Sequence, residues 1–424
     1  MRRRWLGGIG MLLALALVAA ACGEDEGAAL PDEIVVGHLS YHTGDFGVVG
    51  PWFDASTDFA IALINEDPPL GIPLRAIHQD IGTIGEAAAA QKLLEQDGTT
   101  VLLNPAHNYG AYRDFMLDWQ AENNLPLMPS VHGGSISSDI GGIASEPIMR
   151  GAPMDTAQAT AALIVARDQG AQAIALMATE VEGSQLQMDS ATQVAVDMGL
   201  NVVLELNVPP DQASYRAEIE RIGDSGADWL LFFSQAPTGG TVVKQAAEAG
   251  LSLNIIGTSE WTGGEFPEGA TMEAINQHRT VWVSAFSPVD SPAWTFYEPK
   301  WTAQYAGVVD QPAENSYTIQ YYDVINVTAL AIEKAGSLDA NLWIPAMREV
   351  AMAPGTVCYS YGECVTHVRA GTDIDYFGVT GDMNYTDTGV VTGAFAMWEW
   401  QDEATLNKVL DVDGDEVLSL DIYG

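Results

Sequence analysis

The chain has 424 residues, of which 57 are acidic and 17 basic, so its net charge at neutral pH is −40. A surface this acidic repels nucleic-acid phosphates and anionic lipid headgroups, which excludes both as partners of that surface. Hydrophobic residues make up 47% of the sequence. That fraction supports a packed core and excludes a disordered acidic chain.

The N-terminus has the pattern of a bacterial lipoprotein export signal. Three arginines at 2–4 precede an apolar run over 5–21, and Cys22 follows three alanines. The run is shorter than the roughly 20 residues that span a bilayer, and small residues precede the cleavage point. We predict removal of residues 1–21 and acylation of Cys22, with residues 22–32 as a tether. An ordinary signal peptide is the alternative. Without the three arginines the basic count is 14, and the net charge is −43.

From residue 33 onward, short apolar strands alternate with helical stretches. Apolar strands that lack polar alternation predict parallel sheets covered on both faces, the doubly wound α/β fold. The mature length suggests two domains, and we expect strands to cross between them because no linker is evident. The predicted strands are 34–39, 101–103, 173–177, 202–206, 229–233 and 255–256, and the predicted helices are 54–65, 86–96, 157–166, 185–198, 213–222 and 241–249. Residues 376–400 predict antiparallel strands.

Ligands of open parallel sheets bind in the loops that follow the carboxyl ends of strands. The first such loop, 40–52, carries three glycines at three-residue spacing and the aromatic Phe46. The glycines allow a ligand to approach the backbone, which makes Phe46 a candidate contact. The loop lacks the GxGxxG pattern, so we expect no nicotinamide cofactor. A plain glycine-rich turn is the alternative.

Two further loops offer donors for a ligand carboxylate. His107, Asn108 and Tyr109 precede a helix that is predicted to start at Ala111, and free N–H groups at a helix start suit an anion. The third loop follows a strand predicted near 127–128. Its candidate residues are Ser130, His132 and Gly133. A simply solvated His132 is the competing interpretation.

The fourth loop contains Glu260 and Trp261, after the strand that ends at Ile256. A carboxylate beside an indole suits an ammonium group, through charge and cation–π attraction. The competing interpretation is a structural glutamate on a surface loop.

Other patterns do not predict catalysis. Gly223–Gly226 resembles a serine-protease motif but fits a helix-terminating turn, and residues 411–416 fit an acidic turn between terminal strands better than a calcium loop. The seven histidines are scattered, so we expect no metal site. Cys358 and Cys364 flank a short loop that favours a disulfide in an oxidising compartment. A metal pair at these cysteines lacks a supporting histidine cluster.

Several segments, in their order and spacing, resemble the periplasmic Leu/Ile/Val-binding family of substrate-binding proteins over residues 33–400. The segments are Val35–Ser40 with Thr43, Gly44, Gly50 and Asn65, Tyr322–Val324 with Ala331–Gly336, Gly378–Gly381, Asp387–Gly389 and Trp398–Trp400. The resemblance implies a type I periplasmic binding fold, in which two lobes are joined by three crossovers around a ligand cleft. It implies lobes of 33–151 plus 281–389 and of 152–280 plus 390–424.

The resemblance also implies roles for the loops. In the family, the second and third loops hold the ligand's carboxylate. Asn108 falls in the second loop, and residues 130–133 form the third. Gln235 falls near an aromatic contact of the family, and Glu260 near the acid that receives the amine. His107 and Asn108 replace the family's serine pair, and its threonine is absent. The ligand therefore stays open between leucine, a different amino acid, an amide and a cationic nitrogen compound.

We therefore expect a solute-binding protein that closes around a small molecule and presents it to an ABC permease. Its lipid at Cys22 would hold it on the extracytoplasmic side of the cell membrane. We expect a monomer without cofactor or metal and without enzymatic activity, because no nucleophile–base pair is evident. A ligand-sensing receptor with the same fold is the alternative function.

Overall fold

A computed structural model describes most of the chain after the N-terminal segment. The described residues are 30–43, 47, 50–104, 109–123, 148–284, 288–309, 312–386, 389–391 and 393–421. They form two α/β lobes, and the predicted α/β architecture is confirmed.

Helices surround the sheets of both lobes. The helices are α1 (Gly50–Ile64), α2 (Ile81–Ile84), α3 (Glu86–Glu95), α4 (Arg113–Asn123), α5 (Asp155–Asp168), α6 (Glu182–Asp197), α7 (Arg216–Ser225), α8 (Ala236–Glu248), α9 (Glu265–Ala270), α10 (Met272–Gln277), α11 (Pro292–Tyr305), α12 (Ser316–Ala335), α13 (Ala340–Ala351), α14 (Tyr361–Arg369) and α15 (Gly414–Leu420). The strands are β1 (Ile34–Ser40), β2 (Leu74–Asp80), β3 (Val101–Leu103), β4 (Ile174–Thr179), β5 (Val202–Val208), β6 (Trp229–Phe233), β7 (Asn254–Gly257), β8 (Thr280–Ser284), β9 (Thr356–Cys358), β10 (Ile374–Gly378), β11 (Gly381–Asp382), β12 (Phe395–Asp402) and β13 (Thr405–Val412).

The first lobe is built on a parallel sheet in the order β2-β1-β3. In the register of this sheet, His38 of β1 lies directly opposite His78 of β2. α12 runs through the core of the lobe, and every residue from Ser316 to Ile332 is buried. Asn315 caps its N-terminus by accepting hydrogen bonds from two backbone N–H groups. This buried helix is the element against which the rest of the lobe packs.

The second lobe contains a seven-stranded sheet in the order β13-β12-β8-β7-β6-β4-β5. Strands β4, β5, β6, β7 and β8 are parallel to one another, and β12 is antiparallel to both β8 and β13. β4 and β6 are entirely buried because separate cores cover the two faces of the sheet. The lobe extends to Ser284, since β8 belongs to this sheet, rather than ending at the predicted residue 280.

Three passages of the chain join the lobes. The first passage contains Arg150, which pairs with the third passage near Gly389. The backbone N–H of Arg150 donates to the carbonyl of Gly389 at 2.7 Å, and the N–H of Val391 donates to the carbonyl of Arg150 at 3.2 Å. The second passage lies between β8 and α11, and there the hydroxyls of Ser284 and Ser316 are hydrogen-bonded. The first and third passages are therefore tied to each other, and the second is tied to the start of α12.

Several local predictions hold and others do not. α7 ends in a left-handed Gly226 with a φ of 75°, as the helix-terminating interpretation of 223–226 requires. The acidic turn over 411–416 does not connect two strands. It links β13 to α15, where Asp413 caps the helix through the N–H of Asp415. In the predicted antiparallel segment, β10 pairs antiparallel with β11 but parallel with β9.

Cys358 and Cys364 form a disulfide, with their Cα atoms 5.4 Å apart and both residues buried. This confirms the disulfide predicted from their spacing. None of the helices in the described part of the chain is long and apolar enough to cross a bilayer.

Asp323 of α12 is a fully buried carboxylate that fixes the turn after β10. It accepts hydrogen bonds from the hydroxyl of Tyr376 at 2.9 Å, from the N–H of Val379 at 3.0 Å, and from both the N–H and the hydroxyl of Thr380 at 2.8 and 2.7 Å. Gly378 also lies against it, because a Cβ there would meet the carboxylate at 2.4 Å. One acidic side chain therefore joins α12 to the turn between β10 and β11.

We expect Asp323→Ala to lower the free energy of unfolding by about 3 kcal/mol, because two backbone N–H groups and two hydroxyls lose their buried acceptor. Urea denaturation would measure the change. The control is Asp373→Ala, which removes an exposed ion pair with Lys334 and should cost no more than about 1 kcal/mol. Equal losses in the two variants would contradict the role given to Asp323.

Candidate functional site

Glu260 lies between the two lobes. It is in a short 3-10 turn, Ser259–Thr262, that directly follows β7 of the second lobe. Its Oε1 accepts a hydrogen bond from the hydroxyl of Tyr317 at 2.9 Å, and Tyr317 is in the first turn of α12 in the first lobe. The predicted position of Glu260 beyond the carboxyl end of a parallel strand is therefore a position that faces the other lobe.

The turn that carries Glu260 is held by its neighbours. The amide of Gln158, on α5, donates to the hydroxyl of Ser259 at 3.1 Å and to the carbonyl of Val283 at 2.7 Å. The hydroxyl of Thr258 donates to the carbonyl of Ser234 at 3.0 Å. These bonds hold the two residues that precede Glu260, which limits the movement of its carboxylate.

The carboxylate of Glu260 is incompletely satisfied. Its Oε2 is buried and has no hydrogen-bond partner among the described residues. Burial raises the pKa of Glu260, and the hydrogen bonds to its carboxylate, including that from Tyr317, only partly oppose the rise. A buried carboxylate with a free oxygen favours a cationic or hydrogen-bond-donating ligand.

Asp155 adds a second acidic group to the same region. Its carboxylate lies 3.9 Å from the guanidinium of Arg150. Burial raises the pKa of Asp155 to about 6, although Arg150 lowers it, and the negative charge of Glu260 contributes to the rise. The two carboxyl groups therefore influence one another, and a positive charge between the lobes would stabilise both ionised forms.

Arg150 does not neutralise this pair by itself. Its guanidinium is buried and is partly occupied by its own segment, because it donates to the carbonyl of Pro153 at 3.0 Å and to the sulfur of Met154 at 2.8 Å. Burial also lowers the pKa of Arg150 to about 10. The described part of the cleft thus holds two carboxyl groups and one engaged guanidinium.

Trp261 does not have its predicted role. Its side chain is fully buried and stacks on Phe266, with ring centroids 4.3 Å apart. The other side is closed by glycines, since a Cβ at Gly257 or Gly239 would lie 2.2 or 2.5 Å from the indole. Its Nε1 donates to the carbonyl of Ser234 at 3.0 Å. Neither face of the indole ring is open to a cation. Trp261 instead packs into the core of the second lobe, next to the turn that carries Glu260.

Two other candidates have described positions. Gln235 occupies the N-cap position of α8, after β6, and its amide oxygen lies 3.5 Å from the hydroxyl of Thr179. It is half-buried at the carboxyl edge of the sheet, where its role in ligand binding stays a prediction. Tyr109 is only 1% exposed and packs edge-on against Tyr112, so the structure places its ring in the core of the first lobe rather than on an open surface.

The remaining candidates lie outside the described residues, and their roles stay predictions. They are Cys22, Phe46, His107, Asn108, Ser130, His132 and Gly133.

The sequence did not indicate Arg150, Asp155 or Tyr317. Arg150 lies in a crossover, Asp155 is the first residue of α5, and Tyr317 is in α12 of the other lobe. Only folding of the chain brings them close to Glu260. The one available signal was Asn315, a capping residue that places Tyr317 in the first turn of α12.

A second polar cluster lies at the carboxyl ends of β1 and β2. The cluster consists of His38 from β1, His78 from β2 and Asp54 from α1. The Nδ1 atoms of the two histidines are 2.9 Å apart. The Oδ1 atom of Asp54 lies 3.0 Å from the Nδ1 of His78 and 3.4 Å from that of His38. Three residues that are scattered in the sequence thus present one ligand atom each to a single point.

The comparisons with known proteins agree with this architecture. The model of the family described as "Periplasmic binding protein" matches residues 33–364. No curated protein matches the chain in sequence.

Solved structures with the same fold include three transport-related proteins. A leucine-binding protein of Thermotoga maritima superposes with a TM-score of 0.73 at 15% identity, over 90% of this chain and 99% of that one. A branched-chain amino acid transporter substrate-binding protein of Streptococcus pneumoniae, in complex with isoleucine, gives 0.71 at 15% identity, over 89% and 99%. A solute-binding protein of an ABC transporter of R. palustris, in complex with benzoate, gives 0.71 at 12% identity, over 89% and 96%.

These identities are low, so the superpositions establish the fold and not the ligand. The family model covers most of the chain and both lobes contribute to it. The chain belongs to the periplasmic binding protein family.

Proposed function

We propose that this protein is the extracytoplasmic solute-binding component of an ABC importer, and that it captures an amino acid or a related small nitrogen compound. The observation that carries the choice of solute is the buried Oε2 of Glu260, which has no partner among the described residues. Asp155 lies in the same region and adds negative charge. An ammonium group supplies both the charge and the N–H donors that these carboxylates lack.

The acidic cleft argues against a ligand whose only charged group is a carboxylate. Such an anion would meet two carboxyl groups in the described part of the cleft, against one guanidinium that is already engaged. An amino acid carries both charges. Its ammonium would bind Glu260, and its carboxylate would bind the loops of Asn108 and Ser130, as the sequence predicts.

Ligand binding would favour closure of the two lobes. Glu260 belongs to the second lobe, whereas Tyr317 and the predicted carboxylate-binding loops belong to the first. A ligand that contacts both sides gains its full binding energy only when they are together, so it shifts the population toward the closed form. The permease would then distinguish the loaded from the empty protein by shape.

The lipid at Cys22 would keep the protein close to the permease. Tethering raises the effective concentration of the protein at the membrane without a new contact, and stable anchoring needs more than one acyl chain, as in the predicted acylation of both the thiol and the new amine. Co-purification with a permease would favour import, and co-purification with a membrane kinase would favour the sensing alternative.

Glu260→Gln should weaken binding of the best amino-acid or amine ligand by about 100-fold, because the buried ammonium loses its charged partner. The ligand is first identified by a thermal-shift screen of amino acids, amides, polyamines and betaines, and affinity is then measured by isothermal titration calorimetry. Glu268→Gln, on the exposed side of α9, is the matched control and should bind normally. Unchanged affinity in Glu260→Gln, or a screen won by purely anionic ligands, would refute the assignment.

Binding of a cationic group should weaken as the pH falls. Burial raises the pKa of Asp155 to about 6, so this group gains a proton in the mildly acidic range and loses the charge that the ligand needs. Burial shifts the pKa of Glu260 in the same direction. From about pH 7.5 to about pH 5 we expect roughly tenfold weaker binding. Calorimetry in buffers of different ionisation enthalpy should show proton release on binding near pH 6. A pH-independent affinity would contradict this arrangement.

Cys22→Ser should release the protein from the membrane fraction and abolish incorporation of a labelled fatty acid, because the acylated thiol is lost. Cell fractionation with immunoblotting measures the first effect, and metabolic labelling the second. Since residue 22 precedes β1 and belongs to the predicted tether, ligand affinity should not change. A variant that stays membrane-bound would point to another means of attachment.

A further inference from the structure

The second polar cluster has the composition of a transition-metal site. It contains two imidazoles, from His38 and His78, and one carboxylate, from Asp54. Nitrogen donors from histidine combined with one carboxylate suit zinc and its neighbours in the first transition row, whereas magnesium and calcium prefer oxygen donors. The donor set therefore selects a class of metal.

The geometry of the cluster fits a single ion. The three ligand atoms form a triangle with sides of 2.9, 3.0 and 3.4 Å. Ligands at roughly 2.0–2.1 Å from a tetrahedral zinc are roughly 3.3 Å from one another. Small movements of the side chains would therefore bring all three atoms to coordination distance.

The cluster is incompletely satisfied by its own hydrogen bonds. Both Nδ1 atoms face the same oxygen of Asp54 and each other, so a proton between them must serve more than one acceptor. His38 is fully buried, and its Nε2 has no hydrogen-bond partner among the described residues, which coordination at Nδ1 would not change. A metal ion would take the place of the shared proton and use both nitrogen lone pairs.

Outer hydrogen bonds hold the ligands in place. The Nε2 of His78 lies 3.2 Å from the carboxylate of Asp58, which is the carboxylate–histidine–metal arrangement common in zinc proteins. The hydroxyl of Ser40 donates to Asp54 at 2.7 Å. Such contacts set the orientation of the ligating groups before the ion arrives.

The site also has an access side. His42 is 38% exposed, and its Nε2 lies 2.5 Å from the second oxygen of Asp54. It is therefore the histidine that an entering ion would meet first.

We propose that His38, Asp54 and His78 bind one divalent ion of the zinc class, with Asp58 orienting His78. The site belongs to the first lobe alone, because all its residues are on β1, β2 and α1. None of its residues is among those assigned to the solute above, so loss of zinc binding and loss of solute binding can be measured separately.

The test is isothermal titration calorimetry, in which zinc chloride is titrated into the full chain after treatment with a chelator. Excess magnesium and calcium are present to occupy the acidic surface. We expect one ion per chain, with His78→Ala and Asp54→Asn each weakening zinc binding by at least about 100-fold and Asp58→Asn by about 10- to 100-fold. His367→Ala, which removes a histidine of the same lobe outside the cluster, is the matched control and should bind normally.

Cobalt provides a second readout that does not depend on affinity. With two imidazoles and one carboxylate, cobalt should show the intense visible bands of a four-coordinate ion, and these should disappear in His78→Ala. Circular dichroism confirms that each variant is folded, and if His78→Ala is not, the milder Asp58→Asn decides the comparison. Absence of zinc binding, equal binding in the cluster variants and the control, or a weak six-coordinate cobalt spectrum would each overturn the proposal.

Discussion

The cost of burying a carboxylate organises this molecule. Ionised acids are rarely taken out of water unless something compensates for the lost hydration, and this very acidic chain does so at four informative places. Asp323 receives backbone and hydroxyl donors and becomes part of the framework. Asp54 is surrounded by histidines, and Asp155 has a buried arginine. Glu260 has one tyrosine hydroxyl and an oxygen with no partner in the described structure. The progression from complete to incomplete compensation separates the framework from the places where a ligand or an ion would bind.

The sequence was informative where one physical signal dominates. Uninterrupted apolar runs such as those of β4 and β6 predict strands covered on both faces, and the structure confirms them because nothing else could bury so much apolar surface. The position of Glu260 also followed from topology alone, since ligand-binding loops of parallel sheets lie beyond the carboxyl ends of the strands. Both inferences depend on local pattern plus a rule of fold geometry.

The sequence was less informative where contacts join distant segments. Trp261 looked like a partner for a cation because it adjoins Glu260, yet adjacent residues point to different sides and the indole packs inward. β2 was not predicted, because Leu74–Asp80 is polar over most of its length, as befits a strand at the edge of its sheet. Without β2, the pairing of His38 with His78 was invisible. The histidine cluster is therefore a product of strand register and not of sequence spacing.

The hydrogen bond between Tyr317 and Glu260 has a consequence for the empty protein. It spans the cleft, so it holds the lobes together even when no solute is present. A hydrogen bond to a carboxylate that contributes about 1.5–3 kcal/mol would raise the resting population of the closed conformer by roughly tenfold or more. Tyr317 uses Oε1 of the carboxylate, so a solute that binds Oε2 can enter without displacing the tyrosine. The same bond sets how often a permease would meet a closed protein that carries no cargo, and hence the background level of unproductive docking.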